Sequence, residues 1–455
     1  MKRFAVWSAV LVLLTPGWAH CQFGVIGTSS TRSATGPNNS HKLAYHSEML
    51  FPAWDTVTLV FQSNNTIYLA VSGNGEINPW QVPVALYPGA DPAITCGSNN
   101  ERQLVWQMLD TAGGRLNIFY CNLEYRNRMV PVNVSTTSQD CFHPDVYGDS
   151  LGVAHIVWEE NEGTGRRVYY RQANVNGVIG ERFAVASALT SAWALPAIEK
   201  FNNGIAVVWA HCDSTQNPPV YKIMRRRQLN GVWQPEEVLV EHNEPLNRPA
   251  LDFGTEGEDF SGCWEMVVSG NSEVQFYGGN GGGYPTAGVS TAPVVSTVGR
   301  VWSYLFWEED SAGNEDINTH FYYFMTGWTQ SSIRRFFSIN APIYAPSCLG
   351  ALAVWTQGDS APYQVMWGFF DYAVGTPDQT RVRRAGEGFT TIVRDRLVLP
   401  AGVNTKPAAG GLVLSDIAGN RVLKLKPGFN DVSRLAPGVY FIRSSDRWQR
   451  VVIIR

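Results

Sequence analysis

Two stretches of this 455-residue chain close a hydrophobic run with Trp and two acids: AHIVWEEN at 154–161 and SYLFWEED at 303–310. Carboxylates placed just past a large aromatic suit two kinds of chemistry. Two carboxyls about 5–10 Å apart across a bound sugar hydrolyse a glycosidic bond. A ring of carboxylates holds calcium or another cation. A plain solvated acidic face is the third reading. The residues of such a rim are Glu159, Glu160, Glu308, Glu309, Asp213 and Glu265, with Asp110 and Asp359 at looser spacing. Adjacent acids in one loop point apart, so a catalytic pair has to form between distant segments. DSAGNED at 310–316 is rich in oxygen ligands but lacks EF-hand order, which leaves calcium open and unassigned.

Other chemistries find no support, and no catalytic residue is assigned. There is no G-x-S-x-G and no Ser/His/Asp order of a hydrolase; His143, His155 and His211 read as lying in or beside hydrophobic cores. GGNGGG at 278–283 is not followed by the Lys-Ser/Thr of a phosphate-binding loop. No C-x-x-C or Cys/His cluster has zinc spacing. Net charge is −4 and the densest basic run is Arg225-Arg226-Arg227, so nucleic acid is excluded as a partner: its binding needs dense phosphate-neutralising charge.

A repeat must position the acids. A proline followed by a short apolar stretch recurs at Pro52, Pro92, Pro144, Pro196, Pro249, Pro293 and Pro346, 40 to 53 residues apart. Each is followed by an aromatic ending a hydrophobic run: Phe61, Trp106, Trp158, Trp209, Trp264, Trp307 and Trp355. A cluster such as Val168-Tyr169-Tyr170 or Phe321-Tyr322-Tyr323 comes next. The unit from Pro144 reads as four short strands, PDVYG, GVAHIVW, RRVYYRQA and ERFAVAS, separated by Gly, Asn and Asp turns. Four strands per repeat, seven times over, predict a β-propeller. One blade cannot bury both its faces; a ring of blades can. The recurrent Trp is then a wedge between blades, and the acids after it fall past the second strand, on one mouth of the ring. The pattern resembles sialidase-like exported bacterial propellers over roughly residues 50–380. The Asp-box of that family is missing, with only a faint echo at 72–80, so the resemblance implies architecture and not sialidase chemistry.

The two ends carry addresses. Lys2 and Arg3, an apolar run from Phe4 to Leu14 and a break at Pro16-Gly17 predict a secretory signal over 1–21, cut between Cys21 and Gln22. No later stretch is long and apolar enough to span a bilayer as a helix. Six cysteines remain, read as buried thiols, although an exported protein permits disulfides. From about 386 the repeat gives way to short strands and Gly/Pro turns, a small β-sandwich over 386–455 after a propeller over 22–385. DIAGNRV (416–422), LAPGVYFIR (435–443) and the terminal RVVIIR resemble the type A C-terminal sorting domain of type IX secretion cargo. Its matching residues are Asp416, Gly419, Gly438, Val439, Tyr440, Phe441 and Arg455. That resemblance implies the type IX machinery as a partner and delivery to the bacterial surface or medium. The whole reads as an all-β, exported, non-catalytic propeller of about seven four-stranded blades that binds an extracellular glycan, protein or surface polymer. The alternative is a secreted glycoside hydrolase or lyase acting through the rim acids.

Overall fold

Blade 3 shows how the sequence makes one unit. Its inner strand Cys141–Gly148 pairs with Ala154–Asn161, that with Arg166–Ala173, and that with the short outer Phe183–Ala184, all antiparallel. Side chains alternate between the two faces, so Ile156 and Trp158 pack toward blade 2, and Val157 toward blade 4. The computed structural model describes residues 22–369 with interruptions at 38–40, 47–55, 73–79, 98–100, 125–129, 202, 253–260, 278–281, 285–287, 299–301, 312–313, 324–327, 330–333 and 339–340. It also describes 390–453 with interruptions at 394–395, 400–412, 416–420, 427, 437 and 445–446. The predicted signal, the 72–80 echo in large part and the 385/386 boundary lie outside the described residues.

Seven such sheets form the propeller, with inner strands at Leu43–His46, Ala90–Cys96, Cys141–Gly148, Ala197–Phe201, Leu246–Asp252, Val289–Val298 and Ile343–Leu349 for blades 1 to 7. The described residues contain no helix, and none is therefore long and apolar enough to cross a membrane. The ring is closed by a strand that sequence reading left unassigned. Gln22–Ser29 joins the last blade as its outer strand, pairing antiparallel with Tyr363–Phe369. Blade 7 thus takes three strands from the end of the ring and one from its start.

Each hydrophobic cluster straddles two blades. Trp158 packs with Val105, Ile118 and Tyr120 of blade 2, Trp209 with Val157 and Val168 of blade 3, and Trp355 with Val294 and Phe306 of blade 6. Phe61 does the same against Val354, Val365 and Trp367 of blade 7. Trp106, Trp158, Trp209, Trp307 and Trp355 are wholly buried, so the predicted wedge role holds. The proline count needs one correction. Pro52 follows the inner strand of blade 1 in sequence and lies outside the described residues. Cys141, Cys212 and Cys263 are buried thiols outside any disulfide.

The chain forms two compact units, one over Trp18–Gly375 and the other containing Thr376–Arg455. The C-terminal unit is all β. Arg447–Ile453 lies between Thr390–Val393, to which it is parallel, and Gly438–Ser444; the sheet continues through Val413–Ser415 to Arg421–Lys424. Arg396–Leu399 and Gly428–Asp431 form a separate pair. Leu414, Leu425, Val432, Tyr440 and Ile442 make its core. Of the sorting motif, Gly438, Val439, Tyr440 and Phe441 lie on one strand, while Asp416, Gly419 and Arg455 are outside the described residues.

Trp158→Ala should lower unfolding free energy by about 3–5 kcal/mol, because it empties a buried space between two blades. Chemical denaturation measures this, and a change near zero would contradict the wedge.

Candidate functional site at the mouth of the ring

The repeat prolines mark the site. The residue before each of the six described prolines is left-handed: Asp91 (φ 47), His143 (48), Leu195 (46), Arg248 (47), Ala292 (49) and Ala345 (49). Such a backbone is uncommon for residues with a Cβ and costs about 1–3 kcal/mol apiece. In five blades the inner strand bulges there, its register slipping between Ala90 and Ala93, Phe142 and Asp145, Asn247 and Ala250, Thr291 and Val294, and Tyr344 and Ser347. Proline supplies no ladder N–H, so the bulge leaves no proline donor unmet.

All six left-handed residues line one cavity of about 410 Å³ at the mouth. Arg32, Ser33, Gly36 and Pro37 from the segment after the closure strand join them, with Trp193, Asn247, Glu308 and Tyr344. Trp193 is 44% exposed. The Arg166 guanidinium lies 3.3 Å from its ring centroid, and the His143 ring meets its edge at 4.9 Å. Arg32 lies over the Tyr344 ring at 4.1 Å.

The acids after Trp sit within the second strands rather than in loops beyond them, and most are buried. Three capture backbone amides just before the next blade's inner-strand proline. Glu159 accepts from the amides of Ala194 and Leu195, the latter at 3.3 Å. Glu265 accepts from Ala292 at 2.6 Å, and Glu308 accepts from Ala345. Gln62 does the same for Asp91 at 2.8 Å. A side-chain oxygen from one blade thus holds the strained backbone of the next. Glu160 and Glu309 point to the opposite face, as neighbours in a strand must. Glu160 takes Thr137 Oγ1 at 2.7 Å and Arg182 Nη1 at 3.3 Å, and Glu309 takes Asn318 and Trp307 Nε1. Asp213 is half-buried at the end of its strand and is bound by Thr215 and Gln216, whose hydrogen bonds hold its carboxyl down at about 2. Of the six rim candidates, only Glu308 lines the cavity. Among the described residues no group of three His, Cys, Asp or Glu is arranged to hold a metal ion.

His143, read from sequence as lying in or beside a core, faces the mouth instead. Its Nδ1 is 2.8 Å from Glu159 Oε1 and its Nε2 is 3.7 Å from Asp91 Oδ2. Arg166 reaches the same Glu159 oxygen at 3.3 Å, and Arg248 reaches Glu265 at 3.0 Å. Burial raises the Asp91 carboxyl, against the pull of His143 and Lys42. Burial also pushes Glu308 up to about 7, more than the Ala345 amide and Arg248 can offset. Asp91, His143 and Arg248 each precede a repeat proline, so the repeat itself marks their positions.

No protein-family model and no curated protein matches this chain. Its fold is shared with solved structures. One, described as a PL25 ulvan lyase from a new family of polysaccharide lyase, is 7% identical over 76% of this chain and 95% of its own, with a TM-score of 0.54. The same kind of protein bound to -[GlcA(1-4)Rha3S]- gives 0.53 at 7% identity, over 75% and 96%. The propeller domain of the trilobed protease from Pyrococcus furiosus gives 0.44 at 9% identity, over 79% and 100%. At such identities the first two establish a common propeller fold and nothing finer.

Two outcomes follow from the amide capture. Glu159→Ala should cost about 3–5 kcal/mol in a denaturation experiment, since it strands two amides and the charge of Arg166. Glu308 has a folded pKa above its unfolded value, so its contribution is present at low pH and fades as pH rises toward 7. Wild type should therefore lose stability relative to Glu308→Gln between about pH 5 and 7.5. Parallel pH profiles would contradict the raised carboxyl.

Proposed function

We propose that this chain is an exported recognition propeller that binds a glycan segment across the mouth of its ring. One observation carries the reading. Side chains from blades 2 to 7 and from the segment after the closure strand converge on a single cavity, whose lining includes a half-exposed Trp193, Tyr344 and two arginines. An open aromatic face beside fixed polar groups is how a shallow site holds a sugar ring, and the cavity volume falls within the range of about 300–1,000 Å³ usual for ligand sites. The signal layout at 1–21 and the sorting pattern near the C-terminus support export by the general route, then delivery through the type IX machinery to the surface or medium.

Catalysis at the same mouth is the second reading, and His143 favours it. Glu159 fixes the imidazole through Nδ1, which leaves Nε2 facing Asp91 beside the cavity, the arrangement of a general base or acid. Arg248 and Glu308 come from two further blades. A His, two carboxyls and an arginine from different blades suit elimination or hydrolysis at a glycosidic bond. The propeller fold also serves a polysaccharide lyase among the compared structures.

A polysaccharide array on the full chain, assayed in parallel for sugar release, separates the two. Binding without release supports recognition, and release that His143→Ala abolishes supports catalysis. Silence in both contradicts a glycan at the mouth. Deleting 386–455 should trap the protein inside the cell envelope, as fractionation would reveal; surface delivery without it would contradict the sorting role.

A further inference from the structure

The charge that the mouth offers to solvent is opposite to the charge written after Trp158, Trp264 and Trp307. Glu159, Glu265 and Glu308 are turned onto the amides of the following blade. Drawing one of them to a cation would strand a buried N–H, a loss of about 1–3 kcal/mol for each. The arginines are differently placed. Arg32 is exposed and lies over Tyr344, and the Arg248 side chain is 42% exposed although it touches Glu265. Both line the cavity. Their positions are set by backbone: Arg248 by its left-handed conformation before Pro249, and the Arg32 segment by Thr35, whose Oγ1 donates to the Ala345 carbonyl at 2.7 Å. Arg166 covers one face of Trp193, and that ring is still 44% exposed.

We propose that the mouth binds an acidic saccharide, whose carboxylate or sulfate ester is taken by Arg32 and Arg248 while a sugar ring lies against Trp193. This rests on the glycan reading above and adds the sign and nature of the ligand's charge. A guanidinium presents a planar fork of donors that matches two oxygens of a carboxylate or sulfate, which a cation-binding rim could not do. The neighbouring carboxyls do not oppose such a ligand at full strength, because burial favours the neutral form of Asp91 and Glu308.

The test is calorimetric titration of the full chain at physiological salt with two series. One holds uronate oligosaccharides, each beside its carboxyl-reduced counterpart; the other holds sulfated oligosaccharides, each beside its desulfated counterpart. In at least one series the acidic form should bind about tenfold tighter or more than its neutral partner, and the series that does so names the oxyanion. Arg32→Ala, at an exposed position where folding is not at stake, and Arg248→Gln should each erase most of that preference. Neutral partners binding as tightly as the acids would overturn the inference and leave the glycan reading standing. An acid preference that survives both substitutions would also overturn it, by placing the anion elsewhere. No binding in either series would overturn both.

Discussion

The mouth of this propeller depends on a backbone amide that its own blade leaves to a neighbour. Before each inner-strand proline the chain turns left-handed, and the strand cannot use the amide there in its own ladder. A side-chain oxygen from the preceding blade takes it: Gln62 for Asp91, Glu159 for Leu195, Glu265 for Ala292, Glu308 for Ala345. The contact does three things at once. It satisfies a donor that burial would otherwise penalise, it offsets the strain of the kink, and it ties two blades together. The kinked residues line the cavity, so the same interaction that joins blades also composes the site.

Trp and acid are therefore two halves of one joint. On each strand, Trp faces the preceding blade and the next residue faces the following one, because neighbours in a strand alternate. Trp158 packs on blade 2 while Glu159 reaches blade 4. Where the acid is absent the joint is made otherwise. Blade 4 has Ala210 after Trp209, and the Arg248 amide of blade 5 turns to its own neighbour Asn247 at 2.9 Å. Asp145 accepts from the His41 amide and imidazole and from the Ile198 amide, each at 2.9 Å, tying blades 1, 3 and 4. Burial alone would discharge His41, but Asp145, with Glu199 and Asp252, overrides it and lifts the imidazole to about 10.

Much of this was legible in the sequence. The spacing of Trp and proline gave the blades, and Phe183–Ala184 as a short outer strand matched a run already marked by its β-branched and aromatic residues. Three things were not legible, each for a physical reason. The closure strand Gln22–Ser29 has no repeat of its own, since its partner Tyr363–Phe369 is more than 330 residues away and pairing at that distance leaves no local pattern. The burial of Glu159 was hidden because a carboxylate that binds amides looks, in sequence, the same as one that meets water. His143 is placed at the mouth by a left-handed backbone before proline, which runs against the local preference of that residue pair, so no local pattern announces it. The site was missed where tertiary contacts overrule local ones.

Amide hydrogen exchange at Leu195, Ala292 and Ala345 tests the central claim most directly. If carboxylates of the preceding blades hold these amides, they should exchange as slowly as the paired amides of the inner strands. Exchange at the rate of turn residues would mean that the blades are not joined this way, and that something else sets the shape of the mouth.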